Sequence, residues 1–209
     1  MACRICQTRK PRRYCPGVGG DICSMCCGAE REVTVHCPLD CQYLIEARLH
    51  EKLVDINPEE IPNRDVPVTE EFLREHEPLL IFLGSKILEA ALTHRAVDAD
   101  VRETLDALIR TYRTLQSGLY YETKPANPIA AAIQESVQEG VAKLRKELTE
   151  KSATPIRDAE ILGTLIFLQR LGISRNNGRP FGRVFIDYLR AHFPHEPRQS
   201  TETSSLIQV

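Results

Sequence analysis

The chain has 209 residues, 42% of them hydrophobic, and a formal net charge of −2. That apolar share can fill a real core and excludes general disorder. A near-neutral balance, and an aromatic share of 6% with no Trp, argue against a dedicated nucleic-acid binder or an aromatic-lined groove.

All eight cysteines fall in the first 41 residues: Cys3, Cys6, Cys15, Cys23, Cys26, Cys27, Cys37 and Cys41. Met1-Ala-Cys-Arg has neither the charged region nor the apolar run of a signal peptide. The longest strongly apolar stretch, Pro78-Leu-Leu-Ile-Phe-Leu, is far short of a membrane span. The expectation is a cytoplasmic protein that does not enter membranes. Thiols stay reduced in that compartment, so the cluster reads as metal ligands rather than disulfides.

Two pairs, Cys3-Arg-Ile-Cys6 and Cys23-Ser-Met-Cys26, have the two-residue spacing that lets both sulfurs bind one metal ion. Eight ligands fill two tetrahedral Cys₄ sites, and a site with four protein ligands is structural rather than catalytic. Two zinc ions are therefore expected, supplying folding energy that so short a stretch cannot draw from an apolar core. One division places Cys3, Cys6, Cys23 and Cys26 on one ion and Cys15, Cys27, Cys37 and Cys41 on the other. Exchanging Cys26 with Cys27, or pairing Cys15 with Cys23, gives others. His36 lies in the alternating segment Arg31–His36, which predicts a short strand and turns its ring away from Cys37.

Residues 1–48 carry seven Lys/Arg and five Asp/Glu, a formal +2 that becomes −2 once eight thiolates and two Zn²⁺ are counted. The one basic cluster is Arg9, Lys10, Arg12 and Arg13. It could touch phosphates, with Arg4 and Arg31 nearby, or it could offset the thiolates. Only Tyr14 offers a base a stacking partner beside it, which favours the second use.

The spacing of these cysteines resembles the short cross-brace zinc fingers of eukaryotic regulatory proteins, notably the HIT type. Cys3-x₂-Cys6 matches the first ligand pair of that family, and Cys37-x₃-Cys41 stands where its last pair would be. Val18 stands where Cys15 would have a partner two residues on, and a Cys replaces the family's His. The resemblance covers about 45 residues and implies two zinc ions in a protein-docking module.

Further on, Pro38 opens a helical pattern over roughly 39–54 that carries Cys41 and ties the module to the helical part of the chain. The Pro-containing stretch from Asn57-Pro58 to Val66-Pro67 is the main break. Thr69 predicts an N-cap, and Pro78 a restart of that helix, which runs to about His94. Val97, Val101, Leu105, Leu108, Ile109, Tyr112, Leu115 and Leu119 form one stripe over 97–122. Asn127-Pro128 starts a helix to about 150, and Thr154-Pro155 another that Gly172 stops. A turn over Ser174–Pro180 and a helix from Phe181 to near Pro194 complete the pattern. The fold class expected is mainly α: a two-zinc Cys-rich module, residues 1–48, then an antiparallel helical bundle, residues 49–196. Residues 197–209 read as a disordered polar tail.

No catalytic constellation stands out. Glu71 and His76 are five apart, as are Glu89 and His94, the wrong spacing for one helix face, and His192 and His195 lie at a helix end. There is no Gly-x-Ser-x-Gly elbow. Arg175, Asn176, Asn177 and Arg179 concentrate hydrogen-bond donors in one turn, where a small anion or a partner's carboxylate could sit. The expected function is non-enzymatic docking to a protein partner. Nucleic-acid binding through Arg9–Arg13 is the alternative, followed by a thiol redox sensor or an enzyme with a pocket in the helical part. The long one-sided stripes also leave room for a homodimer.

Overall fold

The computed structural model describes residues 2–52, 56–119 and 121–195. Among these, eight α-helices and one two-stranded hairpin make a mainly helical fold with a small N-terminal module.

The module begins with a hairpin of β1 (Arg13–Cys15) and β2 (Gly20–Ile22), in the register Arg13 to Ile22, Tyr14 to Asp21 and Cys15 to Gly20. Gly19, at φ 65°, lets the four-residue loop close, with its N–H and that of Val18 donating to the Cys15 carbonyl. Gly17 lies against the backbone of the next cysteine segment: a Cβ there would come within 2.6 Å of the His36 carbonyl. Helix α1 (Ser24–Glu30) comes next, with the Cys23 sulfur accepting from the Cys26 N–H as its cap.

The strand expected over Arg31–His36 does not form. The N–H groups of Val33, Thr34 and Val35 all converge on the Glu30 carbonyl, and Glu32 takes a left-handed φ of 53°. The chain turns back on itself, leaving one isolated bridge between Arg31 and Val35. Helix α2 spans Gln42–Arg48, shorter than the predicted 39–54, and Cys41 is its N-cap residue rather than part of its body. Residues 53–54 of that expectation lie outside the described residues, as does the 197–209 tail.

After a 3₁₀ turn at Pro58–Glu60, the Thr69 hydroxyl caps α3 (Glu70–Glu75) by accepting from the Phe72 N–H. Helix α4 (Glu77–Thr93) restarts with Pro78 in its first turn, where the missing proline N–H costs nothing. Helix α5 covers Asp98–Gln116 and α6 covers Pro128–Glu150, the latter capped by Asn127 as predicted. Helix α7 (Asp158–Ser174) starts three residues beyond Pro155, at an Arg157–Glu160 capping arrangement, and Gly172 lies inside it. Helix α8 (Val184–His192) ends the described chain.

Helices α4 and α5 occupy one diagonal of a four-helix arrangement. Each packs on both α6 and α7, and α8 lies across α4 and α5. The stripe of α5 is buried as expected through Val101, Leu105, Leu108, Ile109 and Tyr112, against Ile133, Val137 and Val141 of α6 and Ile161, Leu165 and Leu168 of α7. The predicted length of that stripe overruns: α5 ends at Gln116, and Leu119 is exposed.

The Glu32 carboxylate is one of the groups that join the module to the bundle. Glu32 is fully buried, and accepts hydrogen bonds from Arg48 Nη2 (2.9 Å), Asn177 Nδ2 (2.9 Å) and the Arg183 N–H (3.1 Å). Its backbone carbonyl accepts from the Phe181 N–H at 2.8 Å, and the Phe181 ring packs at a tilt on His36, with centroids 3.8 Å apart. Arg179 donates to the Arg31 carbonyl and lies 3.5 Å from Glu51. The donor-rich turn at Ser174–Phe181 is thus used inside the chain: the carboxylates that fill it are Glu32 and Glu51.

Candidate metal centre

Cys3, Cys6, Cys23 and Cys26 bring their sulfurs within 4.8 Å of one another. The first pair sits in a turn that Gln7, at φ 57°, closes with its N–H on the Cys3 carbonyl. That turn is pinned to β2 by the Arg4 N–H on the Asp21 carbonyl and the Arg12 N–H on the Ile22 carbonyl. The second pair opens α1, so the helix start aims backbone N–H groups at sulfur. The Cys23 N–H donates to Cys3 Sγ at 3.2 Å, the Cys26 N–H to Cys23 Sγ at 3.4 Å, and the Thr8 hydroxyl to Cys6 Sγ at 3.4 Å.

This donor set fits a metal ion. Four thiolates on a tetrahedral zinc at about 2.3 Å have sulfurs about 3.8 Å apart, and a group gathered within 4.8 Å closes on an ion by small side-chain movements. Every cysteine in the chain is free of disulfides. The thiols already differ in how readily they ionise. The Thr8 hydroxyl and the backbone N–H groups of Arg9 and Thr8 hold Cys6 down at about 5. The Cys26 N–H lowers Cys23, and Arg9 beside Cys23 is held more firmly charged. Burial, followed by the three neighbouring thiols, pushes Cys26 up to about 12. A dication supplies what a fully ionised set of four lacks.

The other four cysteines also come together, more loosely. Cys15 at the end of β1, Cys27 in α1, Cys37 after the Glu32 turn and Cys41 at the head of α2 line one small void of about 20 Å³. Cys26 forms part of its wall, with Tyr43 and Leu44. Arg13 donates to Cys27 Sγ at 3.6 Å while its guanidinium lies over the Tyr43 ring at 4.3 Å, and Arg31 reaches the same sulfur at 3.9 Å. Burial pushes the Cys37 thiol up. Among the described residues the Cys3 group is the one set of three or more His, Cys, Asp or Glu side chains gathered within 4.8 Å.

The histidines stay out of these groups. His36 packs at a tilt on Phe181, as a residue beside the site. His76 Nδ1 meets the Phe72 carbonyl and its ring stacks on Phe72, His192 stacks on Tyr188, and His195 Nδ1 meets the Phe193 carbonyl. A groove of about 510 Å³ between α4 and α6 is lined by Phe82, Lys86, Glu89, Ser136, Lys143 and Glu147, with His76 and His94 elsewhere. What sequence reasoning missed is Glu32. Nothing local set it apart from the other four acids of residues 1–48, and Asn177 and Arg183, which bond it, are about 150 positions away in the chain.

No described helix is long and apolar enough to cross a membrane. No protein-family model matches the chain, and neither do the curated proteins or the solved structures.

Proposed function

We propose that this chain is a zinc-binding, non-enzymatic protein whose N-terminal module docks a protein partner in the reducing cytoplasm. The observation that carries this is the Cys3–Cys6–Cys23–Cys26 group: four sulfurs at one point leave no open coordination position for substrate. Eight cysteines free of disulfides are enough ligands for a second four-sulfur set, so the stoichiometry proposed is two zinc ions. The module presents Met25, between Cys23 and Cys26, and Tyr14, next to Cys15, both more than 60% exposed. Side chains of this kind anchor protein interfaces. Three of the basic residues that would serve a nucleic acid instead face sulfur: Arg9 toward Cys23, and Arg13 and Arg31 toward Cys27.

The test begins with elemental analysis of freshly purified full-length protein, for which two zinc ions per chain are expected. The zinc-loaded chain and its Tyr14→Ser/Met25→Ser variant are then compared in quantitative capture from a native extract. A protein retained by the parent and lost by the variant, with zinc content unchanged, supports docking. Retention on heparin with a steep salt dependence, and no captured protein, would replace this reading with nucleic-acid binding.

A further inference from the structure

We infer that Cys15, Cys27, Cys37 and Cys41 form the second metal site, and that its ion is the clamp joining the module to the helical bundle; this rests on the module being metal-stapled. The four residues come from four separate segments and converge on one void of about 20 Å³. A space of that size takes a single water-sized sphere. The adjacent residues Cys26 and Cys27 thereby serve different ions, because Cys26 is drawn into the first group and Cys27 faces the void.

Charge points the same way. Four thiolates on a divalent ion carry a net charge of −2. Two guanidinium groups, Arg13 and Arg31, donate to Cys27 Sγ and line this void. Together they neutralise the dianion, and weakly hydrated arginine is the cation suited to a half-buried position.

The clamp follows from where the ligands sit in the chain. The turn holding Glu32 delivers Cys37, and the His36 ring, next to Cys37, packs at a tilt on Phe181 just before α8. Cys41 caps α2, whose Arg48 binds both Glu32 and Asp187. Drawing Cys37 and Cys41 onto one ion fixes the Glu32 turn against α2, and so aims both at Asn177, Phe181 and Arg183. The first group has no such link: its sulfur hydrogen bonds come from Thr8, Cys23 and Cys26, all inside the module.

The test uses full-length protein with elemental analysis and amide hydrogen exchange resolved at Phe181 and Arg183. The parent is expected to hold two zinc ions, and Cys6→Ser and Cys41→Ser one each. Exchange at Phe181 and Arg183 should accelerate roughly tenfold or more in Cys41→Ser and stay near parent rates in Cys6→Ser. Cys15→Ser, whose ligand is far in sequence from the joint, should reproduce the Cys41→Ser pattern and guards against a local fault in α2. One zinc in the parent, kept by Cys41→Ser and lost by Cys6→Ser, would remove the second site while leaving the metal-stapled module standing. No zinc in any form would overturn both. Two zinc ions with exchange unchanged in both Cys41→Ser and Cys15→Ser would overturn the clamp.

Discussion

Replacing Glu32 with Gln in zinc-saturated protein should destabilise the whole chain by about 3 kcal/mol, and replacing it with Ala by nearer 5 kcal/mol. The side chain is fully buried, and its carboxylate takes three hydrogen bonds, from Arg48, Asn177 and the Arg183 N–H. At about 1.5–3 kcal/mol for each bond to a charged group, a simple sum would reach roughly 5–9 kcal/mol. That overcounts. Arg48 keeps Asp187 and Asn177 keeps Glu51 as second acceptors, so only the Arg183 N–H loses its one acceptor outright. What remains is an orphaned amide and a cluster of cations, Arg48, Arg183 and Arg190, short of one negative charge. Gln is isosteric and keeps one accepting oxygen, but turns an NH₂ toward donors. Ala also leaves a cavity. Both keep a side chain at the φ of 53° already tolerated by Glu32, so backbone strain does not confound the comparison. Urea denaturation followed by far-UV circular dichroism measures the loss, with zinc content checked at each step. A change below about 1 kcal/mol in both variants would show that this carboxylate does not hold the joint.

Three other perturbations probe separate parts of the fold. Asp98 is buried, and burial raises its carboxyl to about 6 despite the N–H groups of Val184, Phe185 and Ile186 that pull it down. Its folded-state pKa lies above the unfolded one, so the folded chain binds the extra proton and this group costs stability as pH rises from about 4 through 6. Asp98→Asn should therefore gain on the parent by roughly 1 kcal/mol between about pH 5 and 7, and an unchanging difference in urea stability would contradict the assignment. Gly163→Ala would place a methyl 2.5 Å from the Phe72 ring, which is itself stacked on His76, and should cost about 1–3 kcal/mol in thermal or urea unfolding. Chelation should unfold the module while leaving α4–α8 helical; loss of the bundle's far-UV signal in step with zinc would mean that the bundle does not stand alone.

The helices were legible where one physical signal decided them. Thr69 and Asn127 cap because a side-chain oxygen meets an orphan N–H, and the α5 stripe is buried because its period matches a helix. The gathering of Cys3, Cys6, Cys23 and Cys26 was legible from their two-residue spacings, as one of the divisions the sequence allowed. Errors arose where distant parts of the chain decide. Arg31–His36 alternates like a strand, yet Glu32 needs a left-handed turn to reach Asn177 and Arg183. Gly172 reads locally as a helix stop, but α7 continues through it with the Phe185 ring packed alongside. The Asn177–Arg179 turn showed its donors without showing that their acceptors lay in the module.

The arginines of the module tie these observations into one electrostatic account. Arg13 and Arg31 read in the sequence as part of a basic surface, but they and Arg48 are aimed inward. Arg13 and Arg31 face Cys27, and Arg48 bridges Glu32 and Asp187. A guanidinium bound to sulfur or buried carboxylate must give up that partner before it can hold a phosphate, and removing one partner from a buried pair costs about 3–5 kcal/mol. A phosphate contact made in water repays little of that at physiological salt. This part of the module's positive charge is consequently internal, balancing thiolates and carboxylates, while Arg4, Arg9, Lys10 and Arg12 stay exposed. The exposed surface of the module thus combines Tyr14 and Met25 with those four cations.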